Sequence, residues 1–218
     1  MKIILFILFF LSFIKISVAQ LQFEFTWKGK RIELEKIYRF ANNDSIQFSE
    51  LKCYLSNISL VDQKNKVSTI APSYFLVDLE DSNSLVLNSE LDISKYKRIS
   101  LTFGLDSSVN NSGNIEGVLD PIHVMYWAWN SGYIHSKLIG KSNRVPTKKQ
   151  EFEFHIGGFR APNQTYFNLE LPISGNKIQL ELAPFFDNLD LKNENQLMIP
   201  GKKAHDFAQS LATLISIK

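Results

Sequence analysis

From residue 21 to residue 183 this chain alternates apolar and polar side chains with a period of two, one short run after another, and few architectures accept that rhythm. Leu21, Phe23, Phe25 and Trp27 interleave with Gln22, Glu24 and Thr26 before a turn signal at Gly29. Ile99, Leu101 and Phe103 interleave with Arg98, Ser100 and Thr102 before Gly104. A strand points successive side chains to opposite faces, so each run reads as a strand with one face buried. Runs at about 46–62, 66–70, 74–79, 124–129, 133–139, 151–156, 165–171 and 177–183 predict the same, with Asn, Asp, Gly, Ser and Pro in the gaps. Short strands without a recurring helical spacer predict an all-β fold, an antiparallel β-sandwich of two packed sheets, rather than a parallel α/β fold. The C-terminus breaks the rhythm. Ala204, Phe207, Ala208, Leu211, Leu214 and Ile215 recur at helical spacing after Pro200-Gly201, which predicts one amphipathic helix closing the chain, with His205 and Asp206 on its solvated face.

The first residues set the expected compartment. Lys2 precedes an apolar run from Ile3 to Ile14, and Ser17-Val18-Ala19 places small residues where a signal peptidase reads, so residues 1–19 are a signal peptide and 20–218 a single mature domain. The run is shorter than the roughly 20 apolar residues of a membrane span, and Gln20, Gln22 and Glu24 break the next apolar stretch, so no membrane span is expected in the mature chain. The expected location is periplasmic or secreted, in a bacterium. Removing Lys2 and Lys15 from the 24 basic residues leaves 22 against 22 acidic ones, a formal charge of zero, which gives no ground for a nucleic-acid partner. Cys53, the single cysteine, has no intrachain partner and lies in a strand-like run, where a buried structural thiol is expected.

Residues that could carry chemistry cluster late in the chain. His123, Met125, Trp127 and Trp129 occupy alternate positions, so one strand would show an imidazole, a thioether and two indoles on a single face. Imidazole and thioether suit copper, although a Met-x-Trp-x-Trp stripe is more often sandwich core. Asn130-Ser131-Gly132 reads as a tight turn, and His135 on the returning strand would come back towards Met125 or Trp127. In Glu151-Phe-Glu-Phe-His155 the alternation puts His155 on the face of Glu151 and Glu153, with Gly157-Gly158 allowing close approach. Asp106, Asp120, Asn110 and Asn111 in the loop 105–122 offer oxygen ligands without an EF-hand pattern, and read as turn chemistry. The absence of HExxH, Cys-x-x-Cys and Gly-x-Ser-x-Gly removes zincin, zinc-ribbon and serine-hydrolase readings, and no nucleophile and base stand together. A non-enzymatic protein is expected. A sandwich binding module that stacks exposed Trp and Tyr on a sugar or peptide is the other reading the residues allow.

Several segments in order resemble the MbnP-like copper-binding family: Phe48-Ser-Glu-Leu-Lys-Cys-Tyr-Leu-Ser-Asn-Ile-Ser-Leu60, Tyr74-Phe-Leu-Val-Asp78, Phe103-Gly-Leu-Asp106, Leu119-Asp-Pro121, and above all Met125-Tyr-Trp-Ala-Trp-Asn-Ser-Gly-Tyr133 and Phe152-Glu-Phe-His-Ile-Gly-Gly158. The resemblance covers nearly the whole mature chain. It implies an exported β-sandwich that binds copper. It also implies a partner similar to di-haem cytochrome c peroxidases, which oxidises a tryptophan to kynurenine; the product's amine and ketone can help form a copper site, whereas indole offers only a donor N–H. Carried over, it marks Trp127 and Trp129 as candidates for modification and His155 as the first metal ligand; His135 and Met125 are further candidates from their own chemistry. Better-studied relatives carry four cysteines and a histidine in the loop that here reads Val109-Asn-Asn-Ser112. This chain has neither, as a short form without disulfides would.

Overall fold

The computed structural model describes residues 20–88, 92–113, 115–129 and 132–218. The expected signal peptide and residues 130–131 of the expected turn lie outside them. Within them the alternating runs build two packed sheets. The smaller sheet is centred on β1 (Leu21–Trp27), which pairs antiparallel with β2 (Lys30–Arg31) and β7 (Val86–Asn88) and parallel with β13 (Lys177–Glu181); β15 (Ile215–Ile217) completes it beside β13. The larger sheet runs in the order β12 (Phe167–Pro172), β8 (Tyr96–Phe103), β4 (Ser45–Asp62), β10 (Gly132–Ser142), β11 (Glu151–Gly157), β14 (Gln196–Leu197). Short strands β3 (Ile37–Arg39), β5 (Val67–Thr69) and β6 (Tyr74–Asp78) pair with β4, and β9 (Tyr126–Trp127) with β10. The sandwich is as expected, with two parallel pairings, β1 with β13 and β11 with β14, inside an otherwise antiparallel arrangement.

The main core lies between the sheets. Phe23, Phe25 and Trp27 from β1 meet Phe48, Leu51 and Leu55 from β4 and Phe152, Phe154 and Ile156 from β11, and Phe186 packs, tilted or edge-on, among Trp27, Phe48 and Phe152. Burial of this kind contributes about 1.5–3 kcal/mol per large apolar side chain, so the alternation is what makes the sheets pack. Cys53 is buried here with its thiol pushed up by burial, an inert structural residue.

The amphipathic helix expected near the C-terminus is present, and the chain runs on past it. The helix α3 (Lys202–Thr213) does bury Ala204, Phe207, Ala208 and Leu211, with Phe207 set edge-on to Phe154 at 5.4 Å. Two shorter helices precede it, α1 (Ser107–Ser112) and α2 (Ala183–Asp187), and the chain continues into β15, because Ile215 and Ile217 resume the two-residue alternation. His205 is half-buried rather than solvated: its Nδ1 lies 2.6 Å from the Gln164 carbonyl and ties α3 to the loop before β12.

The second cluster is the feature that positions the candidate site. In β4, Cys53 and Leu55 face the main core, so Tyr54 points to the outer face of the larger sheet, and yet it is fully buried. The segment 105–127 covers it and encloses Tyr54, Leu105, Val109, Leu119, Met125, Trp127 and Tyr133.

Candidate functional site on the outer face of the larger sheet

The covering segment is tied down by ordinary turn chemistry. A register shift between Ser56 and Ser59 bulges β4 at Asn57, whose φ of 53° Asn tolerates better than most residues. Asn57 Nδ2 donates to Asp106 Oδ2 at 3.1 Å, while Asp106 Oδ1 caps α1 by accepting from the amides of Ser108 and Val109. Burial pushes the Asp106 carboxyl up, but these bonds outweigh it and hold the pKa below the ordinary value. From α1, Asn110 Oδ1 accepts from the Tyr133 amide at 3.1 Å. The Tyr54 and Tyr133 hydroxyls donate to the carbonyls of Val118 and Leu119, at 2.8 and 3.1 Å. Asp120 caps the next turn through the Ile122 amide. Asp106, Asp120 and Asn110 are thus spent on turns and loop anchoring, as their sequence setting suggested.

The expected stripe from His123 to Trp129 is not one strand. His123 ends a 3-10 turn with its Nε2 3.1 Å from the Gly117 carbonyl, Val124 is left-handed with φ 57°, and only Tyr126 and Trp127 are extended. The Asp120-Pro121 turn starts that irregular stretch, and period-two spacing alone did not reveal it. Met125 and Trp127 are buried in the second cluster, whereas Trp129 is 64% exposed, its ring 5.6 Å from that of Trp127.

Trp127 is placed by a glycine. A Cβ built on Gly157 would fall 2.9 Å from Trp127 Cζ3 and 3.1 Å from Cη2, so the six-membered ring of the indole rests on the bare backbone of β11. Gly157 and His155 are two residues apart and share that face, about 7 Å along the strand. The tertiary structure therefore brings Trp127, Trp129 and His155 to one region of the outer face.

His155 sits in a charged row. It pairs in register with Lys137 of β10, which pairs with Lys52 of β4, which pairs with Asp78 of β6. Lys52 Nζ meets Asp78 at 3.1 Å and Glu50 at 3.2 Å, and Lys137 Nζ meets Glu50 at 3.1 Å. The Glu50 carboxyl, which burial pushes up, is held below its ordinary pKa by the two lysines. His155 Nε2 is 3.0 Å from Glu153 Oε1, a close contact with that carboxylate. Burial, and then the Lys137 ammonium, hold the His155 pKa below the ordinary histidine value, which favours the neutral ring. Neutral imidazole is the form that binds a metal.

His135 goes elsewhere. The register shift in β10 between Ile134 and Ser136 falls on it, and its ring is buried, 1% exposed, against Gly104, Thr165 and Tyr166. Nδ1 is 2.9 Å from the Thr165 hydroxyl, and Nε2 is enclosed without a hydrogen-bond partner. Burial pushes its pKa down to about 4. Met125 packs with Trp127 in the apolar cluster.

These residues meet copper's needs only in part. His155 offers a neutral imidazole and Glu153 a carboxylate, and the adjacent indole offers no lone pair in its plane. Among the described residues no three of His, Cys, Asp and Glu gather where they could hold a metal ion. A copper site here would need a donor beyond these two.

Such a molecule is, by class, an all-β two-sheet sandwich whose outer face is closed by a tryptophan-bearing segment beside a half-buried histidine. The MbnP family model matches residues 16–199, and the chain belongs to the MbnP family. Among solved structures, MbnP from Methylosinus trichosporium shares the fold, with a TM-score of 0.56 and 16% identity over 78% of this chain and 77% of that one. None of the curated proteins matches the chain. Among the described residues no helix is long and apolar enough to cross a membrane.

Proposed function

We propose that this member of the MbnP family is an exported, non-enzymatic copper-binding protein in which His155 and an oxidised Trp127 hold the ion. The observation that carries the reading is the seat of Trp127 on Gly157, on the same face as His155. Oxidative opening of the indole between C2 and C3, with loss of the formyl carbon, converts Trp127 to kynurenine and supplies an aromatic amine beside that imidazole. The oxidising equivalents come from a di-haem cytochrome c peroxidase-like partner, as the family resemblance implies. Copper, once bound, supplies the redox or storage chemistry of the protein. His155 contributes a neutral nitrogen, Glu153 holds the ring, and the cluster around Tyr54 and Tyr133 excludes water behind it.

The surface around Trp129 supports a docking partner. Trp129, Ile122 and Val124 are exposed apolar side chains on a segment, residues 105–129, that carries Asp106, Glu116 and Asp120 and no lysine or arginine. Trp129, next to Trp127 and open to solvent, is the ring a partner's oxidant reaches first.

Mass spectrometry of the protein from its native host tests maturation. The peptide holding Trp127 gains about 4 Da, one oxygen gained and one carbon lost, while the peptide holding Trp27 is unchanged. Copper-loaded native protein with both Trp127 and Trp129 intact would overturn the reading. Copper titration of the mature chain with His155→Ala tests the ligand, and unchanged tight binding would remove His155 from the site. The alternative, a binding module for a sugar or peptide, keeps Trp129 as its exposed indole but loses Trp127 to the interior.

A further inference from the structure

We infer that His135 is a positioning residue: through Nδ1 and the Thr165 hydroxyl it holds the carbonyl of Gly158, and so fixes the Gly157-Gly158 end of β11 beneath Trp127. The inference rests on the copper reading for its functional readout and on geometry for the rest.

Thr165 is fully buried, and its hydroxyl has one proton. That proton goes to the Gly158 carbonyl at 3.1 Å, where the Thr165 amide also donates at 2.8 Å. The hydroxyl oxygen then accepts from His135 Nδ1–H at 2.9 Å. With the ring protonated on Nδ1, the bonds run on in one direction to the Gly158 carbonyl. This chain of bonds runs from β10, across the turn that follows β11, to the residue next to Gly157. The ring packs against the bare backbone of Gly104, where a Cβ would fall 3.0 Å from Nδ1, and Gly104 has a φ of +97° that side chains rarely adopt. Nε2 is enclosed with no partner, so the polar contact through which this imidazole acts on the site is the one at Nδ1.

The atom that matters can be separated from the ring as a whole. Asparagine places an amide nitrogen as many bonds from Cβ as Nδ1, and glutamine places one as many bonds away as Nε2. The experiment uses the mature chain with His135→Asn, His135→Gln, Thr165→Val and Thr165→Ser. The readouts are the His155 imidazole resonances by NMR, near-ultraviolet circular dichroism in a Trp129→Phe background, and copper affinity. His135→Asn and Thr165→Ser are expected to keep the His155 resonances and the indole signal, with copper affinity within about two-fold of wild type. His135→Gln and Thr165→Val are expected to shift both signals and to weaken copper beyond that two-fold range.

Wild-type signals and affinity in Thr165→Val would overturn the inference. So would His135→Asn behaving as badly as His135→Gln, which would assign the role to Nε2. Should the wild-type chain bind no copper at all, the proposed function fails, while the His155 and indole signals still decide whether His135 positions the strand end. Thr165→Ser controls for folding, since it keeps the hydroxyl and removes only a methyl group.

Discussion

The six-membered ring of Trp127 rests on Gly157 so closely that a methyl group there would lie 2.9 Å from Cζ3 and clash with the Tyr133 carbonyl oxygen. Gly157→Ala must therefore move either the indole or the backbone of β10. Overpacking of this kind costs about 1–3 kcal/mol, so the expected result is a lower urea midpoint and an altered near-ultraviolet indole signal. A variant with wild-type stability and spectrum would show that Trp127 does not occupy this seat.

Three tryptophans with unlike exposure make a direct test of the segment. Trp27 and Trp127 are 3% and 6% exposed, and Trp129 is 64% exposed. Acrylamide should quench only the emission lost in Trp129→Phe, and limited oxidation with N-bromosuccinimide should consume Trp129 first. Equal reactivity of Trp127 and Trp129 would contradict the closed second cluster.

His135 gives the fold an acid limit. Its native pKa of about 4 lies below the ordinary 6.5, so between those values the unfolded chain binds a proton that the native chain refuses. Stability therefore rises with pH through that window, is complete above it, and falls as pH drops from 6.5 towards 4, by on the order of 3 kcal/mol. Denaturation at pH 7 and pH 4.5 should show this loss in wild type and a smaller one in His135→Asn, which has nothing to titrate there.

Lys137 acts on His155 by charge. It is 5% exposed, lies beside His155 in register and helps to hold that pKa down. Lys137→Met is expected to raise the His155 pKa, read by NMR titration. The stability cost should stay below the roughly 3–5 kcal/mol of a fully broken buried pair, because Lys52 still meets Glu50. An unchanged or lowered His155 pKa would show that the lysine does not act on the ring.

Much of the fold is legible in the alternation. Phe23, Phe25, Leu101, Phe152 and Phe154 face the main core because a strand has two faces and these residues occupy one. The site was legible only in pieces. His155 and Gly157 could be placed on one face from spacing, but Trp127 could not be set on Gly157, since their contact joins segments thirty residues apart through β10. His123 left the expected stripe because Pro121 and the left-handed Val124 break the strand before β9, and Trp129 because β9 ends at Trp127 in a turn; a sequence period does not register turns that preserve the spacing of residue types.

By itself the sequence determined the strands, the inward faces of the two sheets and membership of the family, all of which are written in local periodicity and ordered motifs. Only the tertiary structure decided that the outer face of the larger sheet has an interior of its own. Tyr54, Met125 and Trp127 read as surface, core or ligand according to what covers them. The cover is a segment held by Asn57, Asp106 and two tyrosine hydroxyls from distant parts of the chain, and burial by such long-range contacts leaves no periodic trace in the residues it buries.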